Sequence, residues 1–431
     1  IDSRTVREGE LFIAIRGDRF DGHNFVAAAL AKGACGALVE RSALDARFAA
    51  LGSLQNIFPV EDTLFALQEV SLMHRKKHPL PLVAITGSNG KTTTKEMLAA
   101  ILASRGPVLK NEGNLNNHIG VPLTLLRLNA THRTAVIELG MSNFGEIELL
   151  TRLAAPDVGV ITNIGPAHLE FLGSTDGVAR AKAELLTTMR SDGVAVLNAD
   201  DKYFTLLKKS YPGKVISFGI DAHADVHAAA VAPGSGGTDL TLELAGTSFP
   251  VRIAAIGKHN VSNALAAAAA ALALNAGVEA IRAGLMEFKP VAMRSEMRDL
   301  RGIRVIADFY NANPASTLAA IEMLASLRDG KHRMIALLGD MLELGETGPA
   351  EHEAIGRAAA AAGIDVLVAL GGLGRHIAEG ARKGGMHGNA VVTVDNASQA
   401  AEQLRELAKT GDTVLIKGSR GMKMEKILEE F

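Results

Sequence analysis

The chain has 431 residues, of which 48% are hydrophobic, 21% are charged and one is a cysteine, with a formal net charge of −2. That length predicts two to four domains. Near-neutral charge excludes a global basic field for nucleic acid or an anionic membrane, and the lone Cys35 excludes an internal disulfide or a cysteine-built zinc site and fits a reducing compartment.

No secretory signal opens the chain. It begins at Ile1 without a methionine, so further residues are expected before it. Strands are predicted at Leu11–Ile15 and Ala37–Val39, with helices at Asn24–Gly33 and Thr63–Lys77. His78-Pro79-Leu80-Pro81 then reads as a linker.

A second segment opens with the apolar run Leu82–Thr86, followed by helical spacing from Lys91 to Ser104. Strands are expected at Thr134–Leu139, Val158–Ile164, Val194–Asn198 and Val215–Phe218, with helical patterns between several of them. Such alternation predicts a mostly parallel, doubly wound sheet covered on both faces. Asp225–Ile256 reads instead as short antiparallel strands, before helices at Asn260–Asn275 and Val278–Glu287. The Ala-rich stretch Asn263–Gly277 is shorter than the roughly 20 residues of a membrane span and reads as a buried helix.

Lys289-Pro290-Val291 marks a second joint. Beyond it the alternation resumes, with strands expected at Val305–Phe309, Met334–Leu338, Val366–Leu370, Ala390–Val394 and Thr413–Ile416. The expected fold is therefore α/β in three domains: residues 1–79, a central 80–289 with a phosphate loop, and a Rossmann-like 290–431.

The sharpest local signal is Thr86-Gly87-Ser88-Asn89-Gly90-Lys91-Thr92-Thr93-Thr94, between a strand and a helix. Backbone N–H groups and a helix N-terminus there suit phosphates, Lys91 would neutralise them, and the Thr92 hydroxyl would bind Mg2+. The loop is shorter than the usual phosphate loop, whose first glycine would fall at Ile85. Glu138 and His168 follow expected strands, where ligand sites form in doubly wound sheets, and a carboxylate with an imidazole suits a second divalent cation. Chemistry alone leaves Lys182 open between phosphate binding and a solvated helix face. Gly371-Gly372-Leu373-Gly374 follows a strand but lacks a full dinucleotide pattern and reads as a turn. His259 reads as a helix-start contact.

Several segments together resemble the Mur ligases: Asp2-Ser3-Arg4, Gly9–Phe12, Asp21–Phe25, Thr86–Thr93, Asn114–Pro122, Asn163–His168, Gly257–Ala264, Tyr310–Pro314, Leu338–Met341 and Lys417–Arg420. Within that family, Asn114–Pro122, Tyr310–Pro314 and Leu338–Met341 resemble the member that joins D-alanyl-D-alanine to UDP-N-acetylmuramoyl-tripeptide in peptidoglycan synthesis. The resemblance implies an ATP-dependent, ADP-forming amide ligase, cytoplasmic and monomeric, with small-molecule substrates. It implies a nucleotide site of Gly87, Asn89, Gly90, Lys91, Thr92, Thr93 and Asn260, with Arg294 and Asp308 reaching in from the third domain. Where the family has a glycine before that arginine this chain has Met293, and Phe309 follows Asp308 in place of a small residue. The resemblance also implies that Lys182 is carbamylated and joins Glu138 and His168 at the second of two Mg2+ sites.

Ser3, Arg4, Asp21 and His23 would serve the uridine end of the substrate. Asn114, Asn116, Asn117, Asn311 and Asn313 would serve the peptide and the incoming dipeptide. For Asp21-Gly22 a tight turn is the plain alternative, and for Asn311 and Asn313 a turn before Pro314. Contacts from two domains predict closure of the third domain on ATP binding. Two other readings stay open: a sister ligase adding one amino acid to a UDP-muramoyl peptide or to folate, and a non-catalytic nucleotide-binding regulatory module.

Overall fold

The computed structural model describes residues 1–17, 19–44, 56–234 and 236–431. Three sheets organise it, one for each expected domain.

The first is parallel, with strands β1 (Leu11–Ile13), β2 (Gly36–Glu40) and β3 (Ile57–Val60) in that order. Helices α1 (Val26–Ala31) and α2 (Thr63–Lys76) flank it. Phe12, Val26, Ala29, Ala37 and Val39 make its small core.

The central sheet has nine strands: β4 (Leu82–Thr86), β5 (Val108–Lys110), β6 (Thr134–Glu138), β7 (Val158–Ile161), β8 (Val194–Asn198), β9 (Lys214–Gly219), β10 (Val226–Gly234), β11 (Gly237–Leu244) and β12 (Thr247–Ile253). Their order is 12-11-10-9-8-7-4-6-5. From β5 to β10 the pairs are parallel, and β10–β12 form the expected antiparallel extension. β4, β6 and β7 are buried along their whole length, as parallel strands covered on both faces must be. Helix α3 (Lys91–Leu102) follows β4, α4 (Thr175–Thr188) precedes β8, and α5 (Lys258–Ala273) packs against α3. Ala264 and Ala266–Ala271 of α5 are fully buried, and small side chains let that helix lie close to the sheet. Helix α6 (Val278–Glu287) closes this part of the chain.

The third sheet orders β13 (Glu296–Leu300), β14 (Ile303–Ala307), β18 (Thr413–Lys417), β15 (Met334–Gly339), β16 (Val366–Leu370) and β17 (Val391–Val394) as 13-14-18-15-16-17. Only the pairing of β13 with β14 is antiparallel. Helix α7 (Pro314–Ser326) follows β14, and α8 (Gly348–Ala361) follows β15. Gly371–Gly374 is a turn, as read, and it leads into a helix, with Leu373 N–H donating to Asp340 Oδ1 at 3.0 Å.

The contacts divide the described residues into two compact units, 1–79 with 111–130, and 80–110 with 131–431. Residues 111–130 thus belong with the N-terminal sheet, although the chain order places them between β5 and β6. Within that first unit Gln68 Nε2 donates to the His118 carbonyl at 3.2 Å, and α2 packs on the short helix Gly120–Leu125. Among the described residues no helix is long and apolar enough to cross a membrane.

Candidate active site

The loop between β4 and α3 is fixed by space and backbone together. Gly87 has φ +148°, and a Cβ there would fall 1.8 Å from Thr162 Oγ1. Gly90 has φ +82°, and its Cβ would fall 2.1 Å from Asn263 Oδ1 on α5. Only glycine satisfies both demands. The loop is tied to the turn after β7: Ser88 N–H donates to Asn163 O at 3.0 Å, and Ser88 Oγ exchanges hydrogen bonds with Gly165. Asn89 N–H donates to Asn163 Oδ1 at 3.0 Å, while its carbonyl accepts from Thr162 Oγ1 at 2.6 Å and Asn163 Nδ2 at 3.1 Å.

Lys91 folds back to donate to the Gly87 carbonyl at 2.8 Å. Thr92 Oγ1 donates to Glu138 Oε2 at 2.7 Å, joining the start of α3 to the end of β6. Thr93 is buried in the same first turn. Lys182 on α4 is 2% exposed. Burial, then the charge of Lys91, pushes its amine well below the ordinary lysine range. Burial also lowers Lys91, opposed by Glu138 and reinforced by Arg294. Lys91, Lys182, Arg294 and Glu138 therefore share one electrostatic environment, in which cationic side chains outnumber the carboxylate. Among the described residues the buried Arg294 Nε and Thr86 Oγ1 have no hydrogen-bond partner. An excess of positive charge beside an unsatisfied donor suits a polyphosphate.

Arg294 is held with its guanidinium 4.0 Å above the Tyr310 ring. Beside it, Asp308 accepts from Ser295 N–H at 3.0 Å and pairs with Lys417 Nζ at 2.7 Å. Burial pushes the Asp308 carboxyl up, but the Lys417 ammonium overrides it and holds the group below the usual carboxylate range. Asn260 is buried at the start of α5, its Nδ2 donating to Ile256 O at 2.8 Å and its Oδ1 accepting from Asn263 at 3.2 Å. His259 lies near the same helix start, 3.1 Å from Asn260 Nδ2, as read.

The third domain touches the loop directly. Asn313 Nδ2 donates to Asn89 Oδ1 at 2.9 Å. Asn313 also caps α7, accepting from Ser316 N–H at 2.8 Å with Pro314 at the first helical position. Asn311 is exposed, with its amide oxygen turned onto the Ala312 N–H.

His168 makes its contact elsewhere. Its Nδ1 lies 2.9 Å from the Glu343 carboxylate, out of line for a directed hydrogen bond. Both residues sit in the left-handed region, at φ +54° and +63°. Non-glycine residues rarely adopt that conformation, and such strain collects at functional loops. Glu343, Lys417 and Tyr310 are contributors to which the sequence assigned no role. The short segment Glu343-Leu344-Gly345 was the available signal for the first.

Among the described residues no three or more His, Cys, Asp or Glu converge into a metal cage. Thr92 and Glu138 still offer adjacent hard oxygen donors. That pattern fits Mg2+, which is usually held by one or two carboxylates and completed by substrate phosphates.

In the first unit, Arg4 forks onto Asp2 at the surface, and Ser3 lies between them in the chain. Asp21 caps the turn at Gly22–Phe25 and accepts from the His23 ring at 2.6 Å. The other His23 nitrogen accepts from Glu40 N–H at 2.9 Å, so this buried imidazole spends both nitrogens on the fold. Asn117 Oδ1 accepts from Ile119 and Gly120 N–H in the turn before the next helix. Asn114 is exposed and Asn116 half-buried.

Comparison with known proteins adds an independent line. The chain matches the Mur ligase family catalytic domain over residues 1–75, the Mur ligase middle domain over 85–271, and the Mur ligase glutamate ligase domain over 293–420. It is 38% identical to the UDP-N-acetylmuramoyl-tripeptide–D-alanyl-D-alanine ligase of Bacillus subtilis, covering 100% of this chain and 92% of the relative. The ligase of the same name from Escherichia coli is also 38% identical, covering 99% and 92%. The crystal structure of MurF from Acinetobacter baumannii superposes with a TM-score of 0.91 at 35% identity, covering 100% and 92%. That of MurF ligase from Thermotoga maritima in complex with ADP gives 0.88 at 29% identity, covering 100% and 96%.

Proposed function

The chain belongs to the Mur ligase family, and from that premise we infer that it is the ATP-dependent ligase joining D-alanyl-D-alanine to UDP-N-acetylmuramoyl-tripeptide. The observation that carries this reading is the glycine-shaped loop that sets Lys91 and the Thr92–Glu138 pair side by side, in a chain similar over its whole length to ligases of that name.

A carboxylate is a poor electrophile because its leaving group would be oxide. Transfer of the ATP γ-phosphoryl group to the peptide carboxylate gives an acyl phosphate and ADP. The dipeptide amine then adds to the acyl carbon, loses a proton, and the tetrahedral intermediate expels phosphate. Such transfer depends on positioning and charge neutralisation. Lys91 and Arg294 supply positive charge at the phosphates, and the Gly87–Gly90 backbone shapes the cradle. Thr92 and Glu138 would hold Mg2+, which supplies further charge neutralisation when bound.

Lys182 fits carbamylation. Attack on CO2 needs a neutral amine, and burial beside Lys91 favours one. Forming the N–C bond releases a proton and turns the neutral amine into a carbamate anion, which could then join Glu138 and His168 at a second Mg2+. The part before residue 80 takes the UDP end of the substrate, through Ser3, Arg4 and Asp21. The part after 289 takes the incoming dipeptide near Asn311 and Asn313 and completes the ATP site with Arg294 and Asp308. The protein works as a monomer in the cytoplasm, where ATP is available.

The test is phosphate release from ATP with UDP-muramoyl-tripeptide, with and without D-alanyl-D-alanine. Release that needs both, with a UDP-pentapeptide product by mass, is expected. Release with a single amino acid instead of the dipeptide would overturn the assignment.

A further inference from the structure

We infer that Asn313 is a positioning residue for the phosphate loop, acting through Asn89, so that the loop's tip is set by the third domain. The inference rests on the ligase reading above.

The loop's backbone belongs to the central domain. Asn89 N–H and C=O are both taken by Thr162 and Asn163. Its side chain instead meets a residue 224 positions away. Asn313 Nδ2 donates to Asn89 Oδ1 at 2.9 Å, and Asn89 Nδ2 stands 3.5 Å from Asn313 Oδ1. The two ends of the Asn313 amide have separate tasks. Its oxygen caps α7 by accepting from Ser316 N–H. Its NH2 is left to grip the loop.

Serine, threonine and aspartate also cap helices well. None of them offers an outward N–H donor as well as the capping acceptor. Capping alone therefore does not call for asparagine here, whereas capping together with docking does. Asn313 is 8% exposed, so its NH2 has little water to replace a lost partner. The loop has little freedom to compensate, since Gly87 and Gly90 are clamped by Thr162 and Asn263. Asn89 immediately precedes Gly90-Lys91, the part of the loop expected to meet the terminal phosphates. The amide pair thus makes the geometry of the ATP site depend on the third domain's being seated, before any dipeptide is consumed.

The experiment is a double-mutant cycle on the full chain with Asn89→Ala and Asn313→Ser, the serine keeping the cap. Each single change should raise KM for ATP about five- to tenfold, with KM for the UDP substrate moving less than about twofold. The double variant should be no worse than the poorer single one. Multiplying effects, or an unchanged KM for ATP in Asn313→Ser, would overturn the inference. A readout independent of turnover is amide exchange in Asn89→Ala, which should quicken at residues 311–316 although the substitution lies in the other domain. Unchanged exchange there would also overturn it. Absence of ligase activity in the parent chain would remove the ligase reading and leave the exchange experiment to decide on the pair.

Discussion

Lys182 is buried beside Lys91, and the charge it senses there is a second cation. Nothing in that arrangement favours the protonated amine. The unfolded chain binds the proton more readily than the folded one, so stability should rise as pH climbs from the lowered folded value to the ordinary lysine range. In metal-free, CO2-free buffer, Lys182→Met should melt higher than the parent near neutral pH while losing ligase activity. Differential scanning calorimetry and phosphate release measure the two effects. A labelled carbamate carbon detected by NMR after addition of 13C-bicarbonate should be present in the parent and absent from the variant.

Thr92 and Glu138 form the joint between α3 and β6. Glu138→Gln should raise the Mg2+ concentration needed for half-maximal turnover and lower kcat/KM for ATP by roughly 100-fold, or about 2.7 kcal/mol. Thr92→Ala should act in the same direction but less, about tenfold, since the carboxylate survives. Steady-state titration of metal and nucleotide separates the two.

Gly90→Ala should destabilise the protein by at least about 1–2 kcal/mol, because the backbone is left-handed and the new methyl meets Asn263. Mg-ATP binding should weaken with it. Urea unfolding gives the first effect and calorimetric titration the second.

Asp308→Asn should leave Lys417, which is 2% exposed by side chain, without its counter-charge. A loss of about 3 kcal/mol is expected for breaking such a pair. The parent's Asp308 is lowered, so its contribution is present above the ordinary aspartate value and disappears as pH falls through the lowered folded one. Thermal melts taken through that acid range should converge for parent and variant.

His23→Ala should loosen the first unit by about 2 kcal/mol, since both ring nitrogens are bonded within it. Its effect on turnover should be a raised KM for the UDP substrate with KM for ATP unchanged, read in the same assay.

The phosphate loop was legible because strand, glycine, lysine and helix follow one another within a few residues. The sheets were legible for the same reason: β4, β7, β16 and β18 are continuous apolar runs. β13 escaped because its residues are charged and half-exposed; Glu296 and Arg298 pair along an edge that carries no apolar pattern. The three-residue β5 is too short to show a period. At the site, Glu138 was legible from its place at the end of a strand, whereas Lys182 gained a role only through family likeness, since a lysine on a helix is common. The Glu343 contact with His168 and the seating of residues 111–130 on α2 join positions far apart in the chain, and local patterns carry no trace of such pairings.

That seating has a practical consequence. The N-terminal unit is not a contiguous piece of polypeptide: the chain leaves it after Pro79, returns at Asn111 and departs again after Ala130. A truncation beginning at residue 80 would therefore not deliver a clean central fragment. It would carry residues 111–130 with Val121 and Leu125, both fully buried in the intact protein, stripped of α2. Such a fragment should aggregate or be nicked by proteases within that segment. A usable expression boundary would have to replace the insert by a linker long enough to return from Lys110 to Thr131, because β5 and β6 run parallel.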